Sequence, residues 1–323
     1  MSNTSFSDLA KRGLHFKTPS FMNATVSAAE SSPLNQDDYK MLAHGDDVEA
    51  IAAMNAVPGV SRALSGVSAA TAEKMFRGEC LGDNIKLSPK QLPEYYDLLP
   101  PICEKFGVPV PDLFLETSPG PNAYTFGDKR PFIVISSGLL EYMTLEEVQI
   151  VLAHECGHIM QRHCLYSMVA TCVELGMNWL PGSALLKLPI YRWKRVCEFS
   201  ADRAALVFSG DLDKVLKTFV RLSGGRFKHT QNVNLDAYRE QLEEYQSVLS
   251  DKAAEKLMQD FLVMHRTHPF TSVRSYELVK WSKSPECSYL SRKIGTFQEP
   301  RCPKCGAAAQ RKGGRICPNG HFF

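Results

Sequence analysis

His154-Glu155-Cys156-Gly157-His158 decides the reading of this chain, because it sets two imidazoles four residues apart with a carboxylate beside the first. On a helix that turns once every ~3.6 residues, positions i and i+4 share a face, so both histidines can reach a single Zn²⁺. Glu155 lies about 100° round the same helix, beside an open position of such a metal. From there it can take a proton from a water whose pKa the metal lowers to about 7. The start of the helix is well marked. Thr144-Leu145-Glu146-Glu147 has the S/T-x-x-E form of a capping box, and Val148, Val151, Leu152 and Ile159 extend an apolar stripe behind it.

Outward along the chain, Glu198-Phe199-Ser200-Ala201-Asp202 begins 40 residues after His158 and again places two acids at i and i+4. Cys197, Ala201, Ala204, Ala205 and Leu206 make that segment a packed helix, and two carboxylates there are costly unless something positive meets them. Zinc would meet Glu198. Asp202 could accept the outer ring N–H of a ligand histidine, His154 being the expected partner, and so fix its tautomer. Before the helix, Leu113–Glu116 and Pro131–Ile135 have the apolar, β-branched character of strands, with Asn122–Gly127 as a third between them. A small sheet of three or more strands is expected. Upstream, short helices are expected between Asp37 and Phe76, then one helix from Leu92 to Phe106 despite Pro100 and Pro101.

These motifs together resemble one family. His154-Glu155-Cys156-Gly157-His158, Glu198-x-x-Ala201-Asp202 and His268-Pro269-x-x-x-x-Arg274, preceded by Pro121-Asn122-Ala123-Tyr124 and Ile135-Ser136-Ser137-Gly138-Leu139-Leu140, look like the HtpX-like and CAAX-prenyl-protease-like gluzincin metallopeptidases. The likeness covers about residues 90–285. It implies an α+β, mainly helical zincin domain with a small sheet, and a zinc metalloendopeptidase in which His154, His158 and Glu198 bind the catalytic zinc. It further implies Glu155 as general base and acid, His268 as a donor to the oxyanion, and Arg274 as a brace for a carboxylate or the substrate backbone. The strand holding Asn122, Ala123 and Tyr124 would be the edge along which an extended peptide substrate pairs. On its own, His268-Pro269 reads as a turn. His163, His229 and His265 match no motif and are expected to be structural or surface residues.

A second metal module is expected near the end. Cys302-Pro303-Lys304-Cys305 and Cys317-Pro318-Asn319-Gly320-His321 give C-x₂-C, eleven residues, then C-x₃-H, which makes a closed Cys₃His structural zinc site of zinc-ribbon type. So short a module cannot fold without its metal. Arg301, Lys304, Arg311, Lys312 and Arg315 make it locally basic, yet a protein partner is the expected contact and nucleic acid is not. The domain reading is therefore a flexible leader over 1–36, a metallopeptidase domain over 37–296 and a zinc ribbon over 297–323. A different function class remains open: a latent or proteolytically silent zinc protein that acts as a binding or regulatory module.

Composition sets the outer bounds. With 44% apolar and 22% charged residues, the chain is an ordinary globular protein, and a formal net charge of +2 provides no strong field to recruit nucleic acid or anionic lipid. The longest stretches without Asp, Glu, Lys or Arg are 12 residues (Thr18–Ala29, Ala50–Ser61, Leu175–Leu186), so no bilayer-spanning helix is expected. The first residues lack the basic head and apolar run of a secretory signal, and a cytoplasmic location follows by default. The family often carries a hydrophobic hairpin where Leu165–Pro189 stands here. That segment reads as core helix and loop, with peripheral contact at a membrane surface as the alternative. The seven cysteines outside the ribbon read as small buried hydrophobes.

Overall fold

The structure, a computed structural model, describes residues 31–55, 67–167, 183–248, 269–298 and Asn319. His265, His268, most of Leu165–Pro189, and Cys302, Cys305, Cys317 and His321 lie outside the described residues, as do 1–30 of the expected leader. The leader boundary itself differs from expectation. Leu34 is buried in the core, and the amides of Ser32 and Leu34 donate to the carbonyls of Lys293 and Lys105. Asn35 then caps α1 (Gln36–Leu42) in a capping box with Asp38. α2 (Gly45–Asn55), α3 (Val67–Asp83) and β1 (Ile85–Leu87) follow.

The expected helix over 92–106 is two helices, α4 (Pro93–Tyr96) and α5 (Pro100–Phe106). Pro100 and Pro101 do not sit inside a helix. They open α5, in the first turn, where a missing N–H costs nothing, and Gly107 at φ 66° closes it.

β2 (Asp112–Glu116), β3 (Ala123–Phe126) and β4 (Phe132–Ser136) complete a four-stranded sheet in the order β1-β2-β4-β3. β2 runs parallel to β4, while β3 is antiparallel to β4 with Ala123 opposite Ile135 and Phe126 opposite Phe132. β4 is buried throughout and β3 forms an edge. Strand alternation splits the sheet's side chains between two cores. Leu113, Ile133 and Ile135 join the main helical core, and Phe114, Phe132 and Val134 pack with Phe126 and Cys80 under α3. Three of these strands match the sequence expectation; β1, only three residues long, was too short to carry a periodic signal.

After α6 (Ser137–Tyr142) comes α7 (Leu145–Met160), whose Thr144–Glu147 capping box is fully formed. α8 (Ser183–Ser209), α9 (Leu212–Gly224), α10 (Phe227–Thr230), α11 (Leu235–Val248), α12 (Thr271–Trp281) and α13 (Pro285–Lys293) complete the described helices, giving a mostly helical α+β fold. Among the described residues no helix is long and apolar enough to cross a membrane.

α7 and α8 approach each other very closely. A Cβ at Gly157 would stand 2.8 Å from the Ala204 Cβ and 3.0 Å from the Ala201 Cα, so only hydrogen fits between the two backbones. Gly157→Val should therefore push the helices apart and cost about 1–3 kcal/mol by overpacking, read as a lower urea midpoint. An unchanged midpoint would show that the contact yields without strain.

Candidate metal centre

α7 and α8 carry the acids and imidazoles of the site, and their close approach brings them together. His154 and His158 follow each other on one face of α7, with their Nε2 atoms 3.2 Å apart. Glu198 enters from α8, with Oε1 3.3 Å from His158 Nε2 and Oε2 3.5 Å from His154 Nε2. A tetrahedral zinc with bonds of about 2.0–2.2 Å sets its ligands about 3.3–3.5 Å apart, so this triangle of two imidazoles and one carboxylate fits that ion in size and chemistry. All three side chains are largely withdrawn from solvent.

The groups behind the triangle hold it in place. Asp202, one turn along α8 from Glu198, stands 2.9 Å from His154 Nδ1. Arg274 from α12 donates to Asp202 through Nε at 2.8 Å and Nη2 at 2.5 Å, and its Nη1 lies 3.2 Å from Glu198 Oε2. Its guanidinium also covers the Phe219 ring. Burial alone would depress the charge of Arg274, but Asp202 and Glu198 outweigh it and hold its pKa above the ordinary value. Burial likewise works against the Asp202 carboxylate, yet Arg274 and His154 keep it lowered. His154 shows the same contest. Burial lowers it, and the bonds to Asp202 and Glu198 overcome this and raise it to about 10. Arg274 is thus held by two buried carboxylates. Arg274→Leu should leave them uncompensated and cost about 3–5 kcal/mol in unfolding of the chelator-treated protein. A loss below about 1 kcal/mol would mean the pair is not desolvated as its burial indicates.

Glu155 points toward the sheet edge, where Thr125 Oγ1 on β3 donates to its Oε2 at 2.5 Å. Two cavities of about 480 and 310 Å³ share Asn122, Ala123, Glu155 and Glu198 in their walls. The larger adds apolar walls from Leu139, Ile150, Val151, Phe219 and Leu222, together with Pro269 and Arg274. Asn122 and Ala123 line both spaces. Tyr124 lines the smaller one, and its hydroxyl donates to Glu116 Oε2 at 3.1 Å. Cys156, inside the motif, turns away from the metal face. Its thiol is buried against Cys103, and that contact followed by burial pushes it well above its usual pKa.

A family model described as peptidase family M48 matches residues 96–282. The chain belongs to peptidase family M48. It is accordingly a metalloprotease of a metal-dependent family in which the metal is usually zinc, consistent with an HtpX-like metallopeptidase. Among curated relatives it is 31% identical over 271 residues to "Plastoglobule-localized metallopeptidase 48, chloroplastic" of Arabidopsis thaliana, covering 80% of this chain and 76% of that one. It is 26% identical over 102 residues to "Protease HtpX homolog" of Thermodesulfovibrio yellowstonii, covering 31% of this chain and 36% of the relative. A Pelotomaculum thermopropionicum protein of the same name is 33% identical over 86 residues, covering 26% and 31%.

Two further side chains reach this candidate site, Thr125 and His163. Thr125 could have been found, since alternation along Ala123–Phe126 sets it on the same face as Ala123. His163 could not. On a continuing helix it would point about 140° away from His158. The helix instead ends at Met160, and Arg162 takes a left-handed φ of 58° that turns His163 back to within 2.9 Å of His158.

Proposed function

We propose that this M48 peptidase is a zinc metalloendopeptidase whose metal is held by His154, His158 and Glu198. The observation that carries this reading is the convergence of their facing atoms: the two Nε2 atoms lie 3.2 Å apart, and each has one Glu198 carboxylate oxygen beside it, at 3.3 Å from His158 and 3.5 Å from His154. Bound there, zinc supplies a Lewis acid that polarises the scissile carbonyl and acidifies water. Glu155 takes the proton of the attacking water on Oε1, with Oε2 engaged by Thr125, and then delivers it to the leaving amine. Asp202 keeps His154 in the tautomer whose Nε2 faces the metal. Arg274 is a positioning residue that braces Asp202 and Glu198. His268, adjoining the cavity residue Pro269, donates to the developing oxyanion. The substrate is an extended peptide paired to β3 along Asn122, Ala123 and Tyr124, and the apolar walls of the larger cavity select an apolar side chain next to the scissile bond.

The direct test is a metal count on the purified protein combined with hydrolysis of a fluorogenic peptide library. Chelation should remove hydrolysis and added zinc restore it, with cleavage beside Leu, Met or Phe preferred over Asp. Hydrolysis that survives metal removal would overturn the reading. The count should reach two zinc ions per chain, the second in a structural site of Cys302, Cys305, Cys317 and His321, and fall to one in Cys317→Ser.

Thr125→Val removes the hydrogen bond to the Glu155 carboxylate without changing side-chain volume. A bond to a charged group is worth about 1.5–3 kcal/mol, so kcat/KM should fall roughly 10- to 100-fold with zinc content unchanged. A variant as active as the parent would show that Glu155 needs no anchor.

A further inference from the structure

Behind His158 lies a chain of buried polar groups that the proposed reaction does not use. His158 Nδ1 is 2.9 Å from His163 Nδ1, His163 Nε2 is 2.9 Å from Asp47 Oδ2, and Ser200 Oγ donates to that same Oδ2 at 2.6 Å. His163, Asp47 and Ser200 are 1%, 1% and 0% exposed, so none of these contacts is diluted by solvent. The His163 ring also stands edge-on to Trp193 and to His158. Asp47 belongs to α2, outside the residues 96–282 that define the family match.

The hydrogen positions follow from the metal-facing nitrogen. A neutral imidazole carries one proton, so a His158 whose Nε2 faces the ion must hold its proton on Nδ1. That N–H donates to His163 Nδ1, which must then be the bare nitrogen. The His163 proton therefore sits on Nε2 and is donated to the Asp47 carboxylate. Each proton in the chain has one place. His154 ends directly on a buried carboxylate, Asp202; His158 ends on one as well, but one imidazole further back.

We propose that His163 and Asp47 are positioning residues for the metal site: together they fix the tautomer and ring plane of His158. This rests on the ligand assignment made above. It also assigns a task to α2, which brings a side chain from outside the family-matched region into the metal centre. His158, His163 and Cys197 additionally present ligand-type atoms close to one another. A second metal there would need both Nδ1 atoms deprotonated, whereas their 2.9 Å separation is that of a hydrogen bond.

His163→Phe is the test, because it keeps a ring against Trp193 and removes both nitrogens. In the full-length protein, zinc affinity measured by competition with a chelator should weaken about 10- to 100-fold, the usual effect of losing an outer partner of a metal histidine. The visible spectrum of the Co²⁺-substituted protein should change with it. His163→Asn, which offers an acceptor near the place of Nδ1, should recover much of the affinity. Asp47→Ala should weaken zinc in the same direction and add little to His163→Phe, since both cut one chain. If His163→Phe does not fold, as judged by circular dichroism of the metal-free protein, Asp47→Ala carries the same measurement. Unchanged affinity and spectrum in a folded His163→Phe would overturn the proposal. So would complete loss of zinc equal to that of His158→Ala, or a zinc equivalent that disappears in Cys197→Ser, since His163 would then be a ligand. If His158→Ala itself retains zinc at the parent affinity, the ligand assignment is what fails.

Discussion

Glu155→Gln is expected to keep its zinc and lose peptide hydrolysis by about 10²- to 10⁴-fold in kcat, the range a positioned general base contributes. The two halves of that outcome separate the roles. Glu155 stands outside the triangle of His154, His158 and Glu198, so an amide in its place leaves the metal donors intact. Glutamine can still accept the Thr125 hydroxyl through its carbonyl oxygen, which keeps the side chain where it is. It cannot take a proton from water at neutral pH. A metal count equal to that of the parent, beside single-turnover hydrolysis slowed by orders of magnitude, is the expected pair of measurements. Parent-like hydrolysis would remove Glu155 from the proton transfer.

Glu198→Ala is expected to have the other large effect, on the metal itself. Losing an outer partner of a metal ligand weakens binding by about 10- to 100-fold, and loss of a ligand should exceed that range. Hydrolysis should disappear with the zinc and return only in part at zinc concentrations that refill the site. The substitution also takes from Arg274 one of its two carboxylates, leaving Asp202 as its remaining partner. Equilibrium dialysis of the variant against buffered zinc gives the measurement. Parent-like affinity would place the ion elsewhere.

Much of the site was legible before any fold was known. Two imidazoles four apart, with a capping box one turn before an apolar stripe, form a local pattern, and local patterns follow from helix geometry alone. Asp202 was legible as a second acid on the face of Glu198 for the same reason. The cysteines read as buried hydrophobes are buried and free wherever they are described. Pro100 and Pro101 start a helix where apolar spacing suggested they lay inside one. Apolar spacing across 92–106 resembled one helix, but proline at a helix start is favourable and proline inside one is not, and spacing alone cannot tell a break from a beginning.

Other features had no local signal. His163, with no motif around it, became part of the site because α7 stops and Arg162 turns left-handed. Asp47 lies 116 residues before the histidine it accepts from. β3 stands at the sheet edge because β2 pairs directly with β4 across it in sequence, which no run of residues announces.

The sequence by itself determined which side chains one helix could present together: the paired imidazoles and Glu155 on α7, and the two acids on α8. Backbone geometry sets those relations over four residues. Only the tertiary structure decided that Glu198 meets both imidazoles, that Arg274 closes on its far side, and that α2 and the sheet edge reach the same place. Those meetings depend on how near two backbones can come, here limited by hydrogen at Gly157 against Ala201 and Ala204, and on where long connections close. Loop closure costs little more for a long segment than for a short one, so distance along the chain carries almost no information about distance in the fold.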